Sequence, residues 1–248
     1  MKSSDPSAKD IRISLSPFTF KQFKVSHSQS SMRVGVDGVL IGAWGKVDGI
    51  RGLDVGTGCG LVALMSAQRN ASCRVDAIDI DEASVAEADE NFRRSEWRDR
   101  LVAFNADLFD FEAVDRYDFI LSNPPFFSSG ISRPVTAREK ARHQGDMTPE
   151  MLMKAVSRLL KQDGTFSLIV PFDLFEHYRQ AAESHGLTLL KKCTVANCPD
   201  KKPKRIMLAF LKAEASVSPI EETLFIRDGL GNYSEAYKTL TRDFYLNF

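Results

Sequence analysis

The chain predicts an α/β fold: a doubly wound, mostly parallel seven-stranded sheet with one antiparallel edge strand and helices on both faces. Three observations carry that expectation. Short apolar runs alternate with helix-length segments after residue 50. A glycine-rich turn joins the first run to the first helical segment, and carboxylates recur at the ends of successive runs. Strands separated by helix-length segments imply right-handed crossovers and parallel neighbours.

Gly52-Leu53-Asp54-Val55 reads as a buried strand, and Leu61 to Ala67 as a helix packed on it. Arg74 to Asp79 is the second strand. Asp81 to Phe92 follows as a polar, Ala/Glu-rich helix with Val85 and Ala88 on its apolar side. Leu101 to Phe104 and Tyr117 to Leu121 are the third and fourth strands. Thr148-Pro149-Glu150 opens a helix, with Thr as N-cap and Pro at the first helical position. Thr165 to Val170 is a fifth strand, halted by Pro171, and a helix runs on through Tyr178 to Ala182. Leu189 to Ala196 and Ile206 to Leu211 form a closing strand pair around a basic loop, which puts the antiparallel strand at an edge. Residues 1–17 read as a flexible tail and 18–248 as one domain, whose aromatic-rich C-terminal extension (220–248) packs on the main body.

Composition narrows the function. Hydrophobic residues make up 43% and charged residues 27%, the balance of a soluble globular protein. No apolar run approaches the roughly 20 residues that span a bilayer, and Met1 to Ser7 lacks the apolar core of a secretory signal. A cytoplasmic protein with no membrane partner is expected. The four cysteines include no C-x-x-C pair and the four histidines are scattered, so no metal site is expected. With 33 basic and 33 acidic residues the net charge is zero, which disfavours a general nucleic-acid coat but allows a local patch. One such stretch is Lys191-Lys192 followed by Lys201, Lys202, Lys204 and Arg205, with only Asp200 opposing it along the sequence.

Asn123-Pro124-Pro125-Phe126 ends the fourth strand. A residue before proline is pushed toward extended geometry, and two prolines remove two N–H donors, leaving a surface dominated by acceptors. The Asn123 amide oxygen and the Pro124 carbonyl are then placed to accept both hydrogens of an exocyclic amino group, and Phe126 offers a stacking face. On its own the tetrapeptide is equally a strand that ends in a Pro-Pro turn.

Its context is a second loop. Asp54-Val55-Gly56-Thr57-Gly58-Cys59-Gly60 follows a strand and opens a helix, with a G-x-G-x-G spacing one residue tighter than the dinucleotide fingerprint. A carboxylate before the first glycine suits a cationic ligand better than a pyrophosphate, and S-adenosylmethionine is such a ligand. Asp79 lies nineteen positions after Gly60, where an acid accepts ribose hydroxyls. Asp107 is placed for an adenine edge. Thr57, Ile80 and Leu108 complete the candidate cofactor set, with Asn123 shared between the two sites. Each acid alone is equally a cap or a loop acid; three at successive strand ends favour one nucleoside site. Asp81 is the rival to Asp79 and a candidate helix cap.

These motifs resemble the class I S-adenosylmethionine-dependent methyltransferases that methylate amino groups, marked by [N/D]-P-P-[Y/F/W]. Phe18 to Phe23, Met32 to Trp44, Asn232 to Tyr237 and Asp243 to Leu246 resemble the terminal signatures of the bacterial tRNA1(Val) adenine-N6 methyltransferases. The resemblance spans Phe18 to Leu246. It implies S-adenosyl-L-methionine as cofactor, a tRNA anticodon stem-loop as partner, the adenosine 3′ of the anticodon as target, and no obligate protein partner. It also implies that residues 18–48, around Met32 to Gly38, cover the cofactor. Val36 stands where Thr is expected in many relatives. Phe126 is shared with ribosomal guanine-N2 methyltransferases. Guanine-N2 methylation of rRNA and glutamine-N5 methylation of protein need the same acceptor pair, so the tetrapeptide leaves them open. A non-catalytic nucleotide- or RNA-binding module is the alternative of another class. For the RNA, Lys201, Lys202, Lys204 and Arg205 are one candidate surface, and Arg138 and Arg142, with Arg133 and Lys140, a second.

Overall fold

The computed structural model describes residues 16–30, 33–124, 147–213 and 218–247. Strands β1 (Phe18–Thr19) and β2 (Lys24–Val25) form a short antiparallel pair ahead of helix α1 (Val36–Trp44). The main body then runs β3 (Arg51–Val55), α2 (Leu61–Arg69), β4 (Arg74–Asp79), α3 (Glu82–Arg93), β5 (Leu101–Asn105) and β6 (Tyr117–Ser122). It continues with α4 (Pro149–Leu159), β7 (Leu160–Pro171), α5 (Phe175–Ser184), β8 (Thr188–Ala196), β9 (Arg205–Leu211), β10 (Ile220–Phe225) and α6 (Glu235–Thr241).

The sheet order is β10-β8-β9-β7-β6-β3-β4-β5, and only β9 runs antiparallel to its neighbours. The doubly wound, mostly parallel class is as the sequence predicts. Two details differ: among the described residues the sheet has eight strands rather than seven, and β9 lies inside it rather than at its edge. The added strand is β10, which pairs in parallel with β8 and becomes the edge. Its Glu221 and Glu222 hide it from a hydrophobic-pattern reading. They are there to pair with Lys192 and Lys191 on β8, each at 3.0 Å. Those two lysines therefore leave the basic stretch in which the sequence places them.

Alternation along each strand sends side chains to two buried faces. Phe119, Leu121, Ile169 and Met207 join the core under α1, α2, α3 and α6. Ile120, Leu168, Val170, Leu208 and Phe210 join the core under α4 and α5. Helix starts follow local chemistry. Thr148 Oγ1 accepts the Met151 N–H at 3.2 Å with Pro149 in the first turn, and Asp81 Oδ2 accepts from Ser84 N and Oγ at 3.0 and 2.6 Å. Asp81 is thus a cap. α1 has no side-chain cap, and six of its nine residues are buried. It lies so close to α2 that a Cβ at Gly42 would sit 2.5 Å from Met65 Sδ.

Strand order reverses between β3 and β6, which pair directly through Val55 and Ser122. In an open sheet that reversal opens a crevice at the carboxyl ends of the strands. The glycine loop ends β3, and Asn123 ends β6.

Candidate active site

The glycine loop is fixed from two sides. Gly56 and Thr57 donate their N–H groups to the Ile78 carbonyl at 2.9 and 3.0 Å, tying the turn to β4. Below it Asp54, 1% exposed, accepts from Thr57 Oγ1 at 2.6 Å and from the Ala63 N–H at 3.1 Å through Oδ2. Burial pushes the Asp54 carboxyl up to about 7 against those two donors, and the negative Asp79 adds to the rise. The carboxyl expected beside a cationic ligand is therefore buried under the loop it braces. Cys59 is buried as well, and desolvation raises its thiol to about 12, so it is no nucleophile.

Two glycines in the loop serve different needs. Gly60 has φ +83° and a Cβ there would lie 2.5 Å from Phe92 Cε1, so it lets α3 approach. Gly56 has φ +70° and nothing within 4 Å of the Cβ position. There the backbone faces open space, which a ligand can enter without a side chain in the way.

At the end of β4, Asp79 Oδ2 accepts the Gly58 N–H at 2.9 Å and Oδ1 the Asp81 N–H at 3.0 Å. Burial raises its carboxyl against these N–H donors. Next to it Ile80 is 69% exposed, an apolar side chain left bare at the crevice. Asp107 Oδ1 accepts the Phe109 N–H at 2.9 Å, closing an Asx turn after β5. The Leu108 side chain is buried in the core, so only its backbone faces the loop region.

Across the switch point, Ser122 Oγ donates to the Val55 carbonyl at 2.9 Å and locks the two strand ends together. Asn123 follows. Its Oδ1 is buried and has no hydrogen-bond partner among the described residues. Leaving a buried acceptor unmatched costs about 1–3 kcal/mol, so this atom is built to meet a donor. The first turn of α1 lies alongside, with the Gly38 Cβ position 3.9 Å from Asn123 Nδ2. Pro124 is buried beside it. Pro125, Phe126, Arg133, Arg138, Lys140 and Arg142 lie outside the described residues, as does Met32.

Three polar residues at the site are absent from the sequence reading. Asn105 Nδ2 donates to the Asp79 and Ile80 carbonyls at 3.1 and 3.0 Å and fixes that turn. Asn91, 1% exposed, bonds the N–H and carbonyl of Ser26 and also the Cys59 carbonyl of the glycine loop. Glu87, 5% exposed, accepts the N–H groups of Ser28, Gln29 and Ser30. Burial would raise its carboxyl, but these donors outweigh burial and hold it below its ordinary value. The signal was available: Ser84, Glu87 and Asn91 follow the helical spacing of Ala88 and Phe92, and all five are buried on one face of α3. Val85, expected on that face, is only partly buried.

The basic loop leaves β8 at the same end of the sheet as the glycine loop, because β8 runs parallel to β7 and β6. Lys201 pairs with Asp200 at 3.3 Å, and both remain largely exposed. Arg205 is committed elsewhere: its Nε donates to Asp37 Oδ2 at 2.8 Å, which fastens the start of α1 to β9. Among the described residues no cluster of His, Cys, Asp or Glu could hold a metal ion, and no helix is long and apolar enough to cross a membrane.

The fold is that of the class I methyltransferases, and S-adenosyl-L-methionine is the methyl donor. The comparisons agree: the "Methyltransferase small domain" family model matches residues 39–185. An O-methyltransferase structure from Agrobacterium tumefaciens, described as "predicted", has the same fold, with TM-score 0.67 at 15% identity over 84% of this chain and 96% of that one. The ribosomal protein L11 methylase of Lactobacillus delbrueckii subsp. bulgaricus gives 0.51 at 18% over 71% and 77%. The tRNA1(Val) (adenine(37)-N6)-methyltransferase of Bacteroides thetaiotaomicron is 42% identical over 232 residues, 93% of this chain and 97% of that protein. Its counterpart in Pectobacterium carotovorum is 38% identical over 233 residues, 92% and 93%. The chain belongs to the tRNA1(Val) (adenine(37)-N6)-methyltransferase family.

Proposed function

We infer that this protein transfers the methyl group of S-adenosyl-L-methionine to N6 of an adenosine in tRNA, at position 37 beside the anticodon of tRNA1(Val). Family membership supports the substrate, and one observation supports the chemistry: the buried Asn123 Oδ1 at the end of β6, unmatched among the described residues. The open space at Gly56 fits a ligand held against the loop backbone. In this reading Gly56, Thr57, Gly58 and Gly60 carry the donor, Asp79 accepts its ribose hydroxyls, and Ile80 lies against its adenine. Asp107 and the Leu108 backbone meet the adenine edge. Residues 18–248 act as one unit, with 18–48 covering the donor and 220–248 supporting that cover.

The cofactor supplies a methyl group already activated on a sulfonium. What remains for the chain is to make N6 a nucleophile and hold it in line. The adenine amino lone pair is delocalised into the ring. Asn123 Oδ1 and the Pro124 carbonyl accept the two N6 hydrogens, which draws the nitrogen toward tetrahedral geometry and localises that pair. Phe126 offers a stacking face to the base, and Pro125, which has no N–H, offers no competing donor. Catalysis then rests on positioning and electrostatics: no base acts before transfer, and the surplus proton on the methylated N6 passes to water afterwards. The target base must leave its stack, which suits a single-stranded anticodon loop. Lys201, Lys202 and Lys204, with Arg138 and Arg142, hold its phosphates; Arg205 steadies α1. The enzyme works in the cytoplasm without an obligate protein partner.

Asn123→Ala should lower kcat about 10²–10³-fold while S-adenosylmethionine affinity stays within about twofold. Nucleoside mass spectrometry on unmodified total tRNA and rRNA reads the product. N6-methyladenosine in one tRNA is the expected outcome. Wild-type methylation by the Asn123→Ala variant, or methylguanosine in rRNA, would sink the reading.

A further inference from the structure

Residues 26–30, which follow β2, carry no apolar side chain with which to dock. Phe23 and Val25 are buried, but residues 26–30 read Ser-His-Ser-Gln-Ser. Their backbone is held instead by polar groups from α3. Glu87 Oε1 accepts the Ser28 N–H at 2.8 Å and Oε2 the Ser30 N–H at 2.8 Å, with the Gln29 N–H shared between both oxygens at 3.1 and 3.2 Å. Three successive N–H groups converging on one carboxylate make a backbone nest around an internal anion. One turn further along, Asn91 bonds Ser26 N and O and, at 2.9 Å, the Cys59 carbonyl of the glycine loop. The described stretches 26–30 and 33–38 therefore begin beside the glycine loop and finish at Gly38, beside Asn123.

We propose that Glu87 and Asn91 are positioning residues for the methyl donor: they hold residues 26–30 as a strap against the glycine loop, and the strap confines the donor. The inference rests on the donor site proposed above. Burying a carboxylate is expensive unless its partners are fixed. Here the partners are the strap itself, so losing the acceptor charge frees the strap while the apolar face of α3, Ala88 and Phe92, remains packed.

The test uses the full chain and three variants: Glu87→Gln, the milder Glu87→Asp, and Arg93→Ala as a control on the exposed face of α3. Amide hydrogen exchange at 26–30 reports the strap, calorimetry reports S-adenosylmethionine Kd, and kcat is measured at saturating donor. Glu87→Gln should speed exchange at 28–30 and raise Kd about tenfold or more, the scale of a lost charged hydrogen bond, with kcat changed less than about twofold. Glu87→Asp should fall between wild type and Glu87→Gln, and Arg93→Ala should match wild type. Faster exchange with an unchanged Kd would overturn the proposal, and so would unchanged exchange. A wild type that binds no S-adenosylmethionine would instead refute the donor site, whereas Asn123→Ala tests the acceptor side alone.

Discussion

At the scale of single residues, Asp54 and the two glycines separate bracing from binding. The Asp54 carboxyl sits at about 7 in the folded chain against an ordinary value of 3.8. A raised carboxyl means the folded state holds the proton more tightly than the unfolded chain. Its favourable contribution is complete below about pH 4 and is lost as pH rises to about 7, on the order of 4 kcal/mol at most. Asn at this position keeps an acceptor for Thr57 and Ala63 but does not titrate. Stability of wild type relative to Asp54→Asn, read from urea unfolding, should therefore fall between pH 5 and 7 and level off by pH 8. A flat difference would show that Asp54 titrates normally. Gly60→Ala meets the Phe92 ring at positive φ and should cost about 2–4 kcal/mol of stability. Gly56→Ala meets nothing, so it should cost only about 1–2 kcal/mol. If the donor lies where proposed, Gly56→Ala should show the larger loss of S-adenosylmethionine affinity in calorimetry.

At the scale of elements, the loop between β8 and β9 carries the prediction for RNA. Lys201, Lys202 and Lys204 project from the same end of the sheet as Asn123, and the Lys201–Asp200 pair is too exposed to neutralise much. Replacing all three by Ala should weaken tRNA binding and lower its log–log salt slope by roughly 2, as for single-stranded phosphates released from three cations. Binding unchanged across salt would remove the loop from the interface. Arg205→Ala should behave differently, because its ion pair with Asp37 fastens α1. How far these elements were legible follows from what each buries. β3, β4, β6 and the second half of β7 each carry a short, mostly buried apolar stretch between turn signals, and α4 announces itself by Thr148-Pro149. α1 does not: Val36 to Trp44 carries two glycines and three β-branched residues, and its helix exists because Gly38 and Gly42 let it press on α2. β10 hides its strand character because its glutamates answer lysines on the neighbouring strand. For the candidate site, the positions legible in the sequence are those at strand ends, Asp79, Asp107 and Asn123. The spacing of α3 marks Glu87 and Asn91 as buried, but not what they hold, because their partners lie 59 and 65 positions away.

At the scale of the whole molecule, the two ends of the described chain form one aromatic cluster. Phe20 stacks on Phe23 with centroids 4.7 Å apart, Tyr245 lies 6.0 Å from Phe20, and Tyr237, 1% exposed, packs 6.4 Å from Tyr245. The Lys21 N–H also donates to the Phe244 carbonyl at 2.8 Å. That contact gives a physical reason for sequence signatures at both ends: each end supplies half of one packed unit. The strap grows directly out of it, since Phe23 and Val25 are the last buried side chains before Ser26. Tyr237→Ala removes a ring from the centre of the cluster and should cost about 3–5 kcal/mol. The loss should also travel. Amide exchange should rise at 18–25 as well as at 235–245, and S-adenosylmethionine affinity should fall although Tyr237 lies on α6, which packs on α1 and β10 rather than at the switch point. Faster exchange confined to 235–245, with Kd unchanged, would mean that the C-terminal helix merely rests on the body and that β1 and β2 hold the strap without it.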